Sequence, residues 1–423
     1  MAFRFVVLLA ALFAVACARD DATPRVLVEP VASGDWRATW DAGTPVESLR
    51  FVRAAGFLRE REWRVVTPDY AFRRDGDAQV LALNAGGTAA DRIVIEFPRN
   101  TDPIERDYEL FNTFTDGSVA LFLGHFAATL NAAAMIDRVT VVPPAGQRVV
   151  GGDYAYVGTI DPVEHERLTA IVDPGLPPWL ASSLTHYTPQ LFDFYAARTG
   201  RALAEKPVVL LSFEPDAPGR SVTGGVVGNQ VQLRVVGDDW RADDPWAVRA
   251  ALRLLAHEAA HLWNGNDALD APAWMHEGGA EAFADEALHA LGIFDDADLR
   301  AAYATALAAC ADGVRRAYTC GEAAAWGTDL AVRAAQPGVD LFSFWGALVA
   351  RAANEGGYYG PDDYFEGVAA FGVPVAAVTA LRRFTMEPGD DTLPALLEMT
   401  DEICDRAVVA GLDPRCLRAG PED

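Results

Sequence analysis

Lysine is almost absent from this chain of 423 residues, and histidine and cysteine are scarce. Lys206 is the only lysine among 35 basic residues, which stand against 60 acidic residues and give a formal net charge of −25. Such an acidic surface repels phosphate backbones, which argues against nucleic acid as a partner. Because hydrophobic residues make up 51% and charged residues only 22%, the composition predicts folded domains with substantial cores.

Several motifs of well-known chemistries are missing as well. No G-K-[ST] follows the Gly-rich stretch 224–228, so this stretch is not a phosphate loop, and no G-x-S-x-G marks a serine nucleophile. The absence of any C-x-x-C pair disfavours a zinc site built from cysteines.

The five cysteines are Cys17, Cys310, Cys320, Cys404 and Cys416. If Cys17 is set aside as a lipid site, the remaining four suit two disulfides in an oxidising compartment. Four cysteines allow three pairings, of which the sequence-local one joins Cys310 to Cys320 and Cys404 to Cys416. Four unpaired buried thiols are the alternative.

The N-terminal residues 1–17 have the features of an export signal. Arg4 supplies a positive charge, and the apolar run 6–16 is too short to span a bilayer. Ala14-Val15-Ala16 offers a cleavage site, and with Cys17 it resembles a bacterial lipobox. We therefore expect an exported protein that is either periplasmic or membrane-anchored through a lipid on Cys17, or otherwise secreted. No later run is long and apolar enough to cross a membrane.

The sequence after the N-terminal segment predicts an α+β multidomain protein. Residues 25–165 alternate short β-rich runs with turn signals and indicate an N-terminal β-sandwich. Residues 166–290 mix strands and helices, with a helical stretch after Asp243 or Asp244 as N-cap and before Gly265 as stop. Residues 291–423 are predicted to be mostly helical.

The segment His257-Glu258-Ala259-Ala260-His261 reads H-E-x-x-H inside a stretch of helical character. Histidines four residues apart lie on one helix face, so both imidazoles can reach one zinc ion. The glutamate between them is then placed to act as general base on a zinc-bound water. The alternative interpretation is a buried apolar helix that happens to carry two histidines.

The next helical segment, residues 274–281, reads W-M-H-E-G-G-A-E. Together with H-E-A-A-H it resembles the gluzincin metallopeptidases, namely the aminopeptidase N and glycyl aminopeptidase families. In those families a helix with a W-x-x-E-G motif supplies the third zinc ligand, and the resemblance implies Glu277 for that role. It also implies a thermolysin-like zinc peptidase domain. Glu281 shares the helix face of Glu277 and is the second choice as ligand; we favour it as a carboxylate that orients a ligand histidine.

Tyr318 begins Y-T-C-G, which resembles the Y-x-x-G segment in which gluzincin aminopeptidases place a tyrosine over the scissile carbonyl. The resemblance implies that the phenol of Tyr318 donates a hydrogen bond to the developing oxyanion. Tyr303, Tyr358 and Tyr359 are alternatives for this role.

A Gly-rich strand with a glutamate that grips the free amine of the substrate is also part of those families. The nearest counterpart here contains Gly224 and Gly225 but no glutamate, which puts aminopeptidase specificity in doubt. The two glycines remain candidates for binding an extended peptide by β-addition.

The sequence thus predicts a secreted or lipid-anchored zinc metallopeptidase with one Zn²⁺ per chain and a peptide or protein as substrate. Two alternatives stay open: a catalytically degenerate peptidase-fold binding protein of the cell envelope, and a zinc hydrolase that acts on non-peptide amides.

Overall fold

Strands dominate the first part of the chain and helices the last. The computed structural model describes residues 24–102, 104, 107–265, 271–387, 389, 391–407 and 415–416. The predicted export signal, residues 1–17, lies outside the described residues. By internal contacts the chain divides into two compact units, Met1–Leu110 with Leu123–Ala145, and Phe111–Phe122 with Gly146–Asp423.

The strands in chain order are β1 (Arg25–Pro30), β2 (Trp36–Val46), β3 (Ser48–Phe51), β4 (Arg64–Val65), β5 (Tyr70–Asp75), β6 (Ala78–Leu83), β7 (Ala90–Phe97), β8 (Phe111–Thr113), β9 (Val119–Phe122), β10 (Ala128–Leu130), β11 (Ala134–Ile136), β12 (Val139–Val141), β13 (Arg148–Val150), β14 (Tyr154–Gly158), β15 (Val163–Glu164), β16 (Thr169–Val172), β17 (Val208–Glu214), β18 (Ser221–Val227) and β19 (Gln230–Val236). The helices are α1 (Leu58–Glu62), α2 (Pro178–Thr199), α3 (Pro245–Asn264), α4 (Ala273–Ala290), α5 (Asp296–Ala311), α6 (Arg316–Ala335), α7 (Leu341–Asn354), α8 (Pro361–Ala370), α9 (Val375–Met386) and α10 (Thr392–Ala407).

The first unit contains two five-stranded sheets, with the orders β12-β1-β2-β7-β4 and β11-β10-β3-β6-β5. Buried aromatic rings lie between the sheets: Trp40 on β2 meets Phe51 on β3 with ring centres 5.9 Å apart. Trp63 stacks on Phe97 at 5.0 Å and on Phe126 at 5.5 Å. This unit is therefore a β-sandwich closed by aromatic packing.

The second unit contains a four-stranded sheet, β13-β14-β9-β8, and a five-stranded sheet, β15-β16-β17-β19-β18. In the latter, β16, β17 and β19 are parallel, whereas β18 pairs antiparallel with β19 and ends the sheet. Helix α3 packs against β18 and β19 and against α2 and α4. The mixed α+β fold with a helical C-terminal region is confirmed; the boundaries after residues 165 and 290 stay predictions.

Local sequence signals set the ends of α3. The carboxylate of Asp244 accepts a hydrogen bond from the backbone N–H of Trp246 at 2.9 Å, and Pro245 occupies the first turn. Gly265 ends the helix in the left-handed conformation at φ 96°. The predicted cap and stop therefore lie where the sequence placed them.

Helices α4 and α6 cross at a pair of glycines. A Cβ on Gly278 would lie 2.2 Å from the backbone of Gly321, and a Cβ on Gly321 would lie 2.2 Å from the carbonyl oxygen of Trp274. Any side chain at either position would push the helices apart. The two glycines thus allow α4 and α6 to approach closely.

Both sequence-local disulfides are present, Cys310–Cys320 and Cys404–Cys416. Among the described residues, no helix has the length and apolar character that crossing a membrane requires.

Candidate metal centre

Helices α3 and α4 bring three side chains together at one point. Nε2 of His257 lies 3.2 Å from Nε2 of His261, and Oε2 of Glu277 lies 3.3 Å and 3.6 Å from these two atoms. Both histidines are buried and the glutamate is partly buried. The structure thus assembles the three residues that the sequence proposed as ligands.

This triangle fits a zinc ion. Four tetrahedral ligands at about 2.0–2.1 Å from Zn²⁺ are roughly 3.3–3.4 Å from one another, close to the three distances observed. Two imidazoles and one carboxylate are a typical donor set of catalytic zinc, which leaves a fourth position open.

Contacts between the histidines and the carboxylates shift the pKa values of His257 and Glu277. Burial alone would lower the pKa of His257, but the hydrogen bonds with Glu277 and Glu281 outweigh burial and raise it to about 9. Burial would raise the pKa of Glu277, but the two histidines hold it well below its usual range. Metal binding would therefore displace a proton from His257.

Glu258 lies on the same helix, buried beside the triangle, where β18 covers it. A Cβ on Gly224 would lie 2.8 Å from Cγ and 3.0 Å from Oε1 of Glu258. Only glycine at this strand position leaves room for the carboxylate. Burial is the main cause that raises the pKa of Glu258 above its usual value.

Glu281 faces the other ring nitrogen of His257. Its Oε2 lies 3.7 Å from Nδ1 of His257 and 2.6 Å from Nη1 of Arg253. Burial opposes ionisation of Glu281, but the interaction with His257 and the charge of Arg253 lower its pKa to about 2. Glu281 and Glu277 thus lie at opposite nitrogens of the His257 ring.

Sequence reasoning missed Arg253, which is the centre of a buried acidic cluster. Besides Glu281, its guanidinium contacts Asp285 at 2.6 Å and Glu322 at 3.5 Å. Burial, reinforced by the charge of Asp285, raises the pKa of Glu322 well above its usual range. The sequence feature that could have pointed to Arg253 is its position in an apolar stretch one turn before His257.

Tyr318 is the tyrosine that lies at this site. Its ring is stacked at 6.1 Å from that of His257, and its half-buried hydroxyl interacts with Glu277. Tyr303 is buried and donates to Glu286 at 2.8 Å, and Tyr359 is buried and donates to the carbonyl of Asn264.

The fourth candidate tyrosine, Tyr358, is 55% exposed. A further neighbour that the sequence did not single out is His276, whose ring stacks on His261 at 4.2 Å.

No family model matches the sequence, and no curated protein matches it. Among solved structures, an aminopeptidase N family protein from Idiomarina loihiensis has a TM-score of 0.65 at 12% identity, over 89% of this chain and 78% of that chain. A mutant M1 zinc metallopeptidase from Deinococcus radiodurans, bound to a Tyr-Ser-Ala substrate, has a TM-score of 0.41 at 14% identity, over 89% and 93% of the chains. Native yeast LTA4 hydrolase has a TM-score of 0.37 at 11% identity, over 94% and 68%. The first likeness shows a shared fold, and the chemistry must come from the residues of this chain.

Proposed function

We propose that this protein is a zinc-dependent peptidase of the gluzincin type. The observation that carries the proposal is the triangle of ligand atoms from His257, His261 and Glu277, with edges of 3.2 to 3.6 Å, beside the buried carboxylate of Glu258. The fold shared with an aminopeptidase N family protein supports it.

The roles follow from the positions of the side chains. A bound Zn²⁺ would supply Lewis-acid chemistry, polarising the scissile carbonyl and acidifying the attacking water. Glu258 takes the proton from that water and passes it to the leaving amine. Tyr318 donates a hydrogen bond to the developing oxyanion. Glu281 keeps His257 in the ligating orientation.

The edge strand β18 is proposed to bind the substrate. It pairs with β19 on one side and ends the sheet, and no described strand pairs with its other edge, which could therefore take an extended peptide by β-addition. Gly224 is exposed at the point where the strand passes Glu258, and Gly225 follows it. Because residues 221–227 contain no acidic side chain, the strand itself offers nothing to bind a free amine. We therefore propose peptide hydrolysis without restricting it to aminopeptidase activity.

Export is proposed on two grounds. Two disulfides suit an oxidising compartment, and the N-terminal segment with Cys17 has the composition of an export signal with a lipid site. Peptides or proteins of the cell envelope or its surroundings would then be the accessible substrates.

The test is digestion of a broad peptide library with zinc quantified in the same preparation. We expect equimolar zinc and cleavage by the wild-type protein, whereas Glu258→Gln keeps its zinc and loses about 10²–10⁴-fold in kcat. Glu398→Gln, an exposed glutamate on α10, is the matched control and should cleave like wild type. Retained hydrolysis by Glu258→Gln would contradict the mechanism. Bound zinc with no turnover by the wild type would instead favour the degenerate binding protein.

A further inference from the structure

The turn that joins α5 to α6 holds an arginine in an unusual backbone conformation. Arg315 has φ 43° and ψ 49°, in the left-handed region that favours glycine. It directly precedes α6, and the disulfide between Cys310 and Cys320 closes a ring around this turn. Tyr318 lies inside the same ring, three residues after Arg315.

A side chain in the left-handed region is unfavourable, so the surrounding structure has to hold it there. Here the backbone oxygen of Arg315 accepts hydrogen bonds from the N–H groups of Tyr318 at 2.8 Å and Thr319 at 3.1 Å. The hydroxyl of Thr319 donates to the carbonyl of Val314 at 2.7 Å. The strained residue is thus fixed by the first turn of α6, and glycine would fill the position at lower cost.

The side chain of Arg315 lies over the ring of Tyr318. Its guanidinium carbon lies 3.9 Å from the centre of the Tyr318 ring. The Tyr318 ring in turn stacks at 6.1 Å from the ring of His257. Within the described part of the chain, no carboxylate lies within 4.0 Å of the guanidinium. The Tyr318 side chain is therefore the partner that this cation contacts: the guanidinium lies over the ring and interacts with the phenol oxygen, whereas its charge acts on Glu281 from beyond 4.0 Å.

We propose that Arg315 is a positioning residue that holds the ring of Tyr318 over the metal centre, an inference that rests on the proposed function. A guanidinium over an aromatic face is attracted by the negative charge of the ring. A half-buried tyrosine at the start of a helix has more than one accessible rotamer, and this attraction selects the one that directs the hydroxyl to the ligand triangle. The left-handed backbone at Arg315 and the contact of its guanidinium with this ring occur in the same residue.

Steady-state kinetics of the zinc-loaded full chain test this role in four variants: Arg315→Gly, Arg315→Lys, Tyr318→Phe and the double variant Arg315→Gly/Tyr318→Phe. Glycine removes the guanidinium while it accepts the left-handed backbone, so the fold is preserved and Tm should be equal or higher. Arg316→Ala is the matched control, since it removes the same charge one residue further along.

We expect Arg315→Gly to lower kcat by about tenfold, with KM and zinc content unchanged, because the oxyanion donor loses its orientation. Arg315→Lys retains a cation and should fall between Arg315→Gly and wild type. In the Tyr318→Phe background the Arg315→Gly substitution should have no further effect, whereas Arg316→Ala should match wild type throughout.

Three results would overturn the inference while the proposed function stands. An equal loss of kcat in both Tyr318 backgrounds would mean that Arg315 does not act through the phenol. A raised KM at constant kcat would make it a substrate-binding cation, and a lowered Tm with loss of zinc would make its role structural. If the wild type itself cleaves no peptide, the proposed function fails and the inference fails with it.

Discussion

The contact between Gly224 and Glu258 gives the sharpest test of the proposed general base. Alanine at 224 would place a methyl carbon 2.8 Å from Cγ of Glu258 and 3.0 Å from the backbone oxygen of Gln232. Carbon atoms in contact prefer about 3.5–4.0 Å, so the carboxylate must move by roughly 1 Å, because the backbone on the other side of the methyl resists displacement.

A displacement of that size costs catalysis far more than stability. We expect Gly224→Ala to lower kcat by roughly 10- to 100-fold, or about 1.4–2.8 kcal/mol in activation free energy. Zinc content should be unchanged, because the nearest atoms to the methyl belong to Glu258 and Gln232 and not to the three proposed ligands. The assay is steady-state hydrolysis of the best library peptide, with zinc measured in each preparation.

Gly151→Ala is the matched control, because a Cβ there meets no heavy atom within 4 Å and its φ is not positive. Its kcat should equal that of wild type, and Glu258→Gln should give the residual kcat without the proposed general base. If Gly224→Ala keeps kcat within about twofold of wild type, β18 does not constrain Glu258 and the assignment of the base loses its geometric support.

Three further predictions concern the metal and the disulfides. Glu277→Ala should lose zinc in a metal titration, whereas Glu281→Ala should weaken zinc binding only about 10–100-fold; the reverse order would exchange their roles. Because His257 holds its proton up to a pKa of about 9, the apparent zinc affinity should rise roughly tenfold per pH unit between pH 6 and 8 and level off above 9. Chelator competition measures this slope, and a pH-independent affinity would contradict it. Replacing either disulfide by alanines should cost about 3 kcal/mol of unfolding free energy, since the two loops are similar in length. Only removal of the Cys310–Cys320 disulfide, whose ring contains Tyr318, should also lower kcat. Equal kcat values in the two disulfide variants would argue against that ring as part of the site.

Much of the local structure was predictable because its causes are local. The i, i+4 spacing of His257 and His261 sets them on one helix face whatever surrounds the helix. Asp244 as cap and Gly265 as stop act through hydrogen bonds and dihedral angles of their own neighbourhood. The mixed α+β class followed from hydrophobic periodicity and turn residues in the same way.

The different positions of Glu277 and Glu281 relative to His257 are visible only in the tertiary structure. Both lie on one face of α4, so periodicity cannot distinguish them. The distances of the two carboxylates to opposite ring nitrogens of His257 distinguish them. These distances depend on how α4 packs in the fold, including its close approach to α6 at Gly278 and Gly321.

By itself, then, the sequence determined that one helix presents two histidines and a glutamate suited to zinc chemistry, and that four cysteines suit two disulfides. Only the tertiary structure shows which tyrosine lies at the candidate metal centre and which glycine leaves room for Glu258. It also shows that Arg253 contacts Glu281 and that Arg315 contacts Tyr318. The physical reason is that each of the latter is a contact between different elements of the fold. Such contacts are set by helix crossings and by the edge of a sheet, which the spacing of residues along the chain does not encode.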